Sequence, residues 1–253
     1  MNSQNDDELT KSHHPDVIKA KLKRSNKESS VSHAVLGGID GCVTTFAVVS
    51  GVVGAGLAPS VALVLGFANL IADGFSMAVS NFESIKTESE YIEKLRETER
   101  EHIEKVPEGE REEIRQIFRN KGFSGEVLDK IVEVISSNKA LWIETMLTEE
   151  LGVQKTSRNP WRAALATFLA FVAVGTMPLI PFLTPGVEQN LQFSMSAVLA
   201  GVMFFSIGAI KSRIVAKPAL KSGVGTLLTG GAAASLAFLV GYVLREVFGI
   251  AGV

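Results

Sequence analysis

The sequence predicts an all-α membrane protein: five transmembrane helices, with an acidic helical insert between the second and the third. Three observations carry that expectation. Mean hydropathy is positive, at +0.24, yet 21% of the residues are charged, so apolar and charged residues must be segregated along the chain. Five apolar segments, near His33–Leu57, Ser60–Phe82, Trp161–Leu183, Phe193–Ile210 and Gly223–Phe248, approach or exceed the roughly 20 residues that cross a hydrocarbon core. Residues 83–155 hold 18 Asp and Glu against 12 Lys and Arg, a net charge of −6, and show no strand pattern.

Residues 1–32 form a polar N-terminal segment with Pro15 and scattered Lys11, Lys19, Lys21, Lys23, Arg24 and Lys27. No short apolar stretch with a cleavage site follows, so no signal peptide is expected. Residues 33–82 contain spans one and two, joined by the tight Ala58-Pro59 turn into a hairpin. Residues 83–155 form the insert. Its first helix is expected to continue out of span two to about Lys105, where Val106-Pro107 stops it. A second runs from Pro107 to Lys121 and closes at Gly122. A third starts at the cap Ser124 and reaches about Ser136. The fourth runs from near Asn138 to Gly152. Residues 156–253 carry spans three to five, with Pro178, Pro181 and Pro185 ending the third.

Loop charges set an orientation. Lys211, Arg213, Lys217 and Lys221 lie between spans four and five, on the same side as the basic N-terminus, while the opposite loops carry only Glu188. The positive-inside rule then places the N-terminus and the insert in the cytoplasm and the C-terminus outside. Glycines concentrate in the spans (Gly37, Gly38, Gly41, Gly51, Gly54, Gly230, Gly231), where small residues permit close helix packing or dimerisation. Cys42, the single cysteine, excludes an internal disulfide and reads as a small buried residue.

Two spans each carry one carboxylate, Asp40 and Asp73. An ionised Asp at mid-membrane costs about 2.5–3.5 kcal/mol on insertion scales, so it marks a functional position. Asn69, Asp73 and Met77 are spaced four apart and share a helix face. An amide oxygen, a carboxylate and a thioether in line suit a divalent cation, the thioether favouring softer transition metals. In the insert, Glu99 and His102 are three apart, Glu110 and Glu113 likewise, and Met146 and Glu150 four apart. Carboxylates, one imidazole and one thioether suit Fe(II) or Mn(II) better than Ca(II). Against this, Glu108 and Glu110 lie in a first helical turn, where acids are favoured anyway. Glu90, Glu97 and Glu104 interleave with Lys86, Lys94, Arg96 and Arg100 as an ordinary solvated face. Glu99-x-x-His102 also raises a membrane-anchored di-iron oxidase, but such bundles use two Glu-x-x-His motifs, and this chain has one.

The stretches GGIDGCVTTFAVVSGVVGAG, GFANLIADGFSMAVSN, EKVPEGEREEIRQIFRNKGF, LWIETMLTEELGV and TFLAFVAVGTMPLIPF together make the sequence resemble the vacuolar iron transporter family, over about residues 31–253. The resemblance implies a homodimer of five-span subunits with the ion path between protomers. It implies export of Fe(II), and often Mn(II), from the cytosol in exchange for protons, with a cytoplasmic helical module that collects metal. By position, the membrane residues it implies are Asp40 and Met77, with Asp73 nearby, and in the insert Glu99, His102, Glu110, Glu113, Met146 and Glu150. The chain departs from the family pattern at His102, where a glutamate is usual; a shifted register would offer Glu101 and Glu104 instead. It departs again at Leu147, where plant relatives have a second methionine, and at Ser80-Asn81, where plant and fungal members often have Gly-Glu.

A proton-driven metal transporter is therefore the expected function, with a membrane-anchored metal-dependent oxidase or a metal sensor as the alternative. No phosphate-binding Gly-Lys-Ser/Thr motif is present, so ATP is not the expected driver. No enzymatic activity, prosthetic group or nucleic-acid partner is expected; the partners are lipid, the transported ions, protons and a second copy of the chain. The short polar N-terminus without a targeting extension favours a prokaryotic inner (plasma) membrane over a vacuolar one.

Overall fold

Helices follow the apolar segmentation. The computed structural model describes residues 10–23, 30–153, 158–215 and 218–249, and these contain helices and no strand. In chain order they are α1 (Pro15–Lys23), α2 (Ser30–Gly54), α3 (Pro59–Lys105), α4 (Pro107–Asn120), α5 (Gly125–Ser136), α6 (Lys139–Glu149), α7 (Pro160–Gly175), a 3₁₀ segment (Met177–Leu183), α8 (Gln189–Val215) and α9 (Ala219–Phe248). Five of the helical stretches are long and apolar enough to cross a membrane. The chain is an all-α integral membrane protein.

As the sequence reading expects, span two and the first insert helix are one helix, α3, with no break near residue 83. Several boundaries differ. The third span leaves α-helical geometry at Thr176 and continues as 3₁₀ helix through Pro178 and Pro181, because a proline supplies no N–H to the ladder and its ring crowds the preceding turn. Spans four and five begin earlier than expected, at Gln189 and Ala219. The polar N-terminal segment includes a helix, α1. The charges at Arg24, Lys27 and Lys217, and the expected insert boundary at 155, lie outside the described residues.

The chain forms two compact units, Met1–Glu83 with Asn159–Val253, and Ser84–Arg158. In the first, α2 packs on α7, α8 and α9. Glycine makes those approaches possible. A Cβ on Gly41 would stand 2.4 Å from the Phe171 carbonyl oxygen of α7, and one on Gly241 only 2.1 Å from that of Gly51. These glycines therefore serve packing within the chain. Cys42, Phe46, Val49, Leu179 and Phe204 build the core. Asn81 joins three helices, its amide donating to the Thr167 hydroxyl at 2.8 Å and lying 3.1 Å from His33 Nδ1. Outward side chains such as Phe75, Leu228 and Leu236 are about two-thirds exposed (65–67%). An apolar surface of this kind is stable against lipid, not water.

The second unit closes over Ile103, Ile114, Val132, Ile135, Trp142, Ile143, Met146 and Leu147. Val106, held out of helical geometry ahead of Pro107 (φ −135°, ψ 53°), turns the chain from α3 into α4. Gly122 adopts φ +95° after α4. The Asn138 side chain caps α6 by accepting from the Ala140 and Leu141 N–H groups, both at 3.1 Å. Ser124 does precede α5, but its hydroxyl makes no capping bond.

Candidate metal centre

The second unit carries an unusual local feature: two buried carboxylates, each with one oxygen that has no hydrogen-bond partner. Glu99, on α3, is 4% exposed and Glu110, on α4, 3%. The Oε2 atom of each is buried and has no hydrogen-bond partner. A buried ion without a partner is strongly disfavoured. His102, one turn beyond Glu99, places its Nδ1 3.5 Å from Glu110 Oε1 and leaves its ring half exposed. Glu99, His102 and Glu110 each offer a ligand atom, and these atoms all lie within 4.8 Å of one another, the single group of three so arranged among the described residues.

The electrostatics match. Burial, then the neighbouring Glu113 and Glu99 carboxylates, push the Glu110 carboxyl up to about 7, with His102 opposing the rise. Glu150 is raised above the usual carboxylate range, chiefly by burial, then by Glu113 and Glu99. The cluster is a negative well that a cation would neutralise.

Of the six insert residues the sequence singles out, three come together in this group. Glu113 and Glu150 are exposed at its margin, within electrostatic range of Glu99 and Glu110. Met146 is fully buried in the hydrophobic core. The register alternatives are otherwise engaged: Glu101 pairs with Lys105 and Glu104 with Lys139. The solvated-face reading holds for Glu90 and Glu97, which pair with Lys86 and Arg100. The sequence did carry a signal for the two buried acids. Glu99 lies four residues from both Leu95 and Ile103, and Glu110 four from Ile114, so each interrupts an apolar stripe that packs into the core.

In the membrane unit, Asp40 on α2 and Asp73 on α3 are both half-buried and close enough to repel one another. Asn69, Asp73 and Met77 share a half-buried stripe on α3, beside the buried Leu70, Gly74 and Ala78. Among the described residues no third carboxylate or imidazole completes this pair. Asn81, which the sequence offered only as an uncharged substitute, is here a structural tie between α2, α3 and α7.

The VIT family profile matches residues 31–242, which include Asp40, Asp73, Met77 and all six candidate residues of the insert. The chain belongs to the VIT family. This VIT-family chain is similar to a protein of Toxoplasma gondii (strain ATCC 50861 / VEG) named vacuolar iron transporter, with 32% identity over 96% of this chain and 86% of the relative. It is similar to the vacuolar iron transporter of Plasmodium berghei (strain Anka), at 28% over 92% of this chain and 89% of that one. It also matches vacuolar iron transporter 1 of Oryza sativa subsp. japonica, at 28% over 89% and 87%. The relatives of this VIT-family chain are named as transporters, not enzymes.

Proposed function

We propose that the chain exports Fe(II), and also Mn(II), from the cytoplasm in exchange for protons, as a homodimer. The buried, unpartnered Glu99 and Glu110 oxygens beside His102 are the observation that carries this reading beyond family membership. Metal would be collected at this centre, on the cytoplasmic side by the loop-charge asymmetry, with Glu113 and Glu150 drawing cations towards it. Met146, four residues before Glu150, would add a thioether if the core around it rearranged on binding.

In the membrane, Asp40 and Asp73 would replace part of the ion's hydration shell, and Met77, one turn beyond Asp73, would favour softer ions. A carboxylate in such a path can hold a metal cation or a proton, but not both at the same oxygen. That competition would couple metal movement to protons. The lean towards a prokaryotic inner membrane, with the C-terminus outside, belongs to the same proposal.

Purified protein in proteoliposomes with an imposed pH gradient tests the reading. Fe(II) should move across the membrane faster when the gradient is present and should carry protons the other way. Metal that binds but never crosses would overturn transport and leave a sensor. Iron flux indifferent to the gradient would overturn antiport alone.

A further inference from the structure

We propose that His102 sets the metal preference of the insert's centre, shifting it towards Zn(II), Co(II) and Fe(II) and away from Mn(II), Mg(II) and Ca(II). This rests on reading Glu99, His102 and Glu110 as a metal centre, and goes beyond it by assigning discrimination to one side chain.

The two buried carboxylates supply charge, and charge alone attracts any divalent ion. Hard oxygen donors of this kind serve Mg(II), Ca(II) and Mn(II) adequately. Imidazole nitrogen does not. It suits Zn(II), Fe(II), Ni(II) and Cu(II), so a site that exchanges one carboxylate for imidazole widens the affinity gap along the first-row series. In this chain the imidazole is the sole nitrogen donor in the group.

Its placement fits that role. Nδ1 stands 3.5 Å from Glu110 Oε1, a separation that a shared cation could span by drawing both groups inward. The ring is about half exposed while both carboxylates are sealed, so an incoming ion meets the imidazole at the rim. The acids flanking it on the same helix do not substitute for it. Glu101 and Glu104, on the flanking positions of the same helix, are tied to Lys105 and Lys139. The competing account is that His102 merely ion-pairs with Glu110 and takes no part in choosing the metal.

The test uses the full chain in detergent, carrying Asp40→Asn and Asp73→Asn so that the insert's centre alone is read. Dissociation constants for Mn(II), Co(II) and Zn(II) are measured by competition with a chromophoric chelator, with His102 intact, with His102→Glu and with His102→Gln. Pulsed EPR of bound Mn(II) reports nitrogen-14 coupling directly. The expected result is a Zn(II)-over-Mn(II) preference about tenfold smaller in His102→Glu, with Mn(II) affinity kept or improved by the added charge. His102→Gln should lower Zn(II) and Co(II) affinity more than Mn(II). Nitrogen coupling should be present with His102 and absent from both variants. Binding with an unchanged preference, or without nitrogen coupling when His102 is intact, overturns the proposal and leaves the metal centre standing. No binding of any of the three ions with His102 intact overturns both.

Discussion

Replacing Glu110 by glutamine isolates what the buried carboxylates cost the protein when no metal is bound. The Glu110 carboxyl is raised from 4.5 to about 7, chiefly by burial and then by its carboxylate neighbours. The folded state therefore binds a proton that the unfolded state has released over that interval. Stability is intact below about pH 4.5 and is lost as pH rises through about 7. The full interval corresponds to roughly 3 kcal/mol, a large share of the stability of a small helical unit. Hydrogen exchange measured by mass spectrometry on the full chain in detergent reads that loss locally. After correction for the intrinsic rate, protection of the α4 and α6 amides in metal-free wild type should fall by about a hundredfold between pH 5 and pH 8. In Glu110→Gln most of that fall should vanish, because the amide carries no charge to bury. Fe(II) or Mn(II) at pH 8 should restore protection in wild type by binding the folded state alone, and should do much less in the variant. Flat wild-type protection across this range would refute the burial argument. A variant that responds to metal as wild type does would remove Glu110 from the site.

Three further outcomes follow from the membrane unit. Asp40→Asn and Asp73→Asn keep volume and remove charge, so each should be recovered from the membrane at wild-type yield yet move iron into proteoliposomes at a small fraction of the wild-type rate. Met77→Leu is close in volume, so packing should survive; Fe(II) flux should drop clearly while Mn(II) flux changes less, and equal losses would indicate a packing role. Gly41→Ala would force a methyl group to within 2.4 Å of the Phe171 carbonyl oxygen, and should lower stability by about 1–3 kcal/mol, read as a reduced thermal midpoint in detergent.

The fold was legible because its determinants are local. Apolar length marks the spans, and Pro107, Gly122 and Asn138 punctuate the insert whatever the rest of the chain does. Where tertiary context decides, the sequence was read less well. Nothing near residues 189 or 219 says how far spans four and five reach beyond their apolar runs, because Gln and Lys are as good helix formers as Leu. The glycines could not declare their partners either. Gly41 and Gly241 are small for the sake of Phe171 and Gly51, residues far away in sequence. The candidate ligand set occupies middle ground. Spacing found Glu99, His102 and Glu110 and set Glu97 and Glu104 aside as a solvated face, where they do pair with cations, but spacing alone did not show that Glu99 and Glu110 are buried. What separates the two groups is the stripe each belongs to. An acid four residues from Leu95 and Ile103, or four from Ile114, is carried into the core by the packing of its neighbours, whatever its own preference for water. Burying a carboxylate this way is costly, and in this chain two such acids reach the same place from different helices. Convergence of two costly placements on one point is what chance spacing on a solvated face does not produce, and it is why the centre stands on Glu99 and Glu110 more firmly than on the motif that first suggested it.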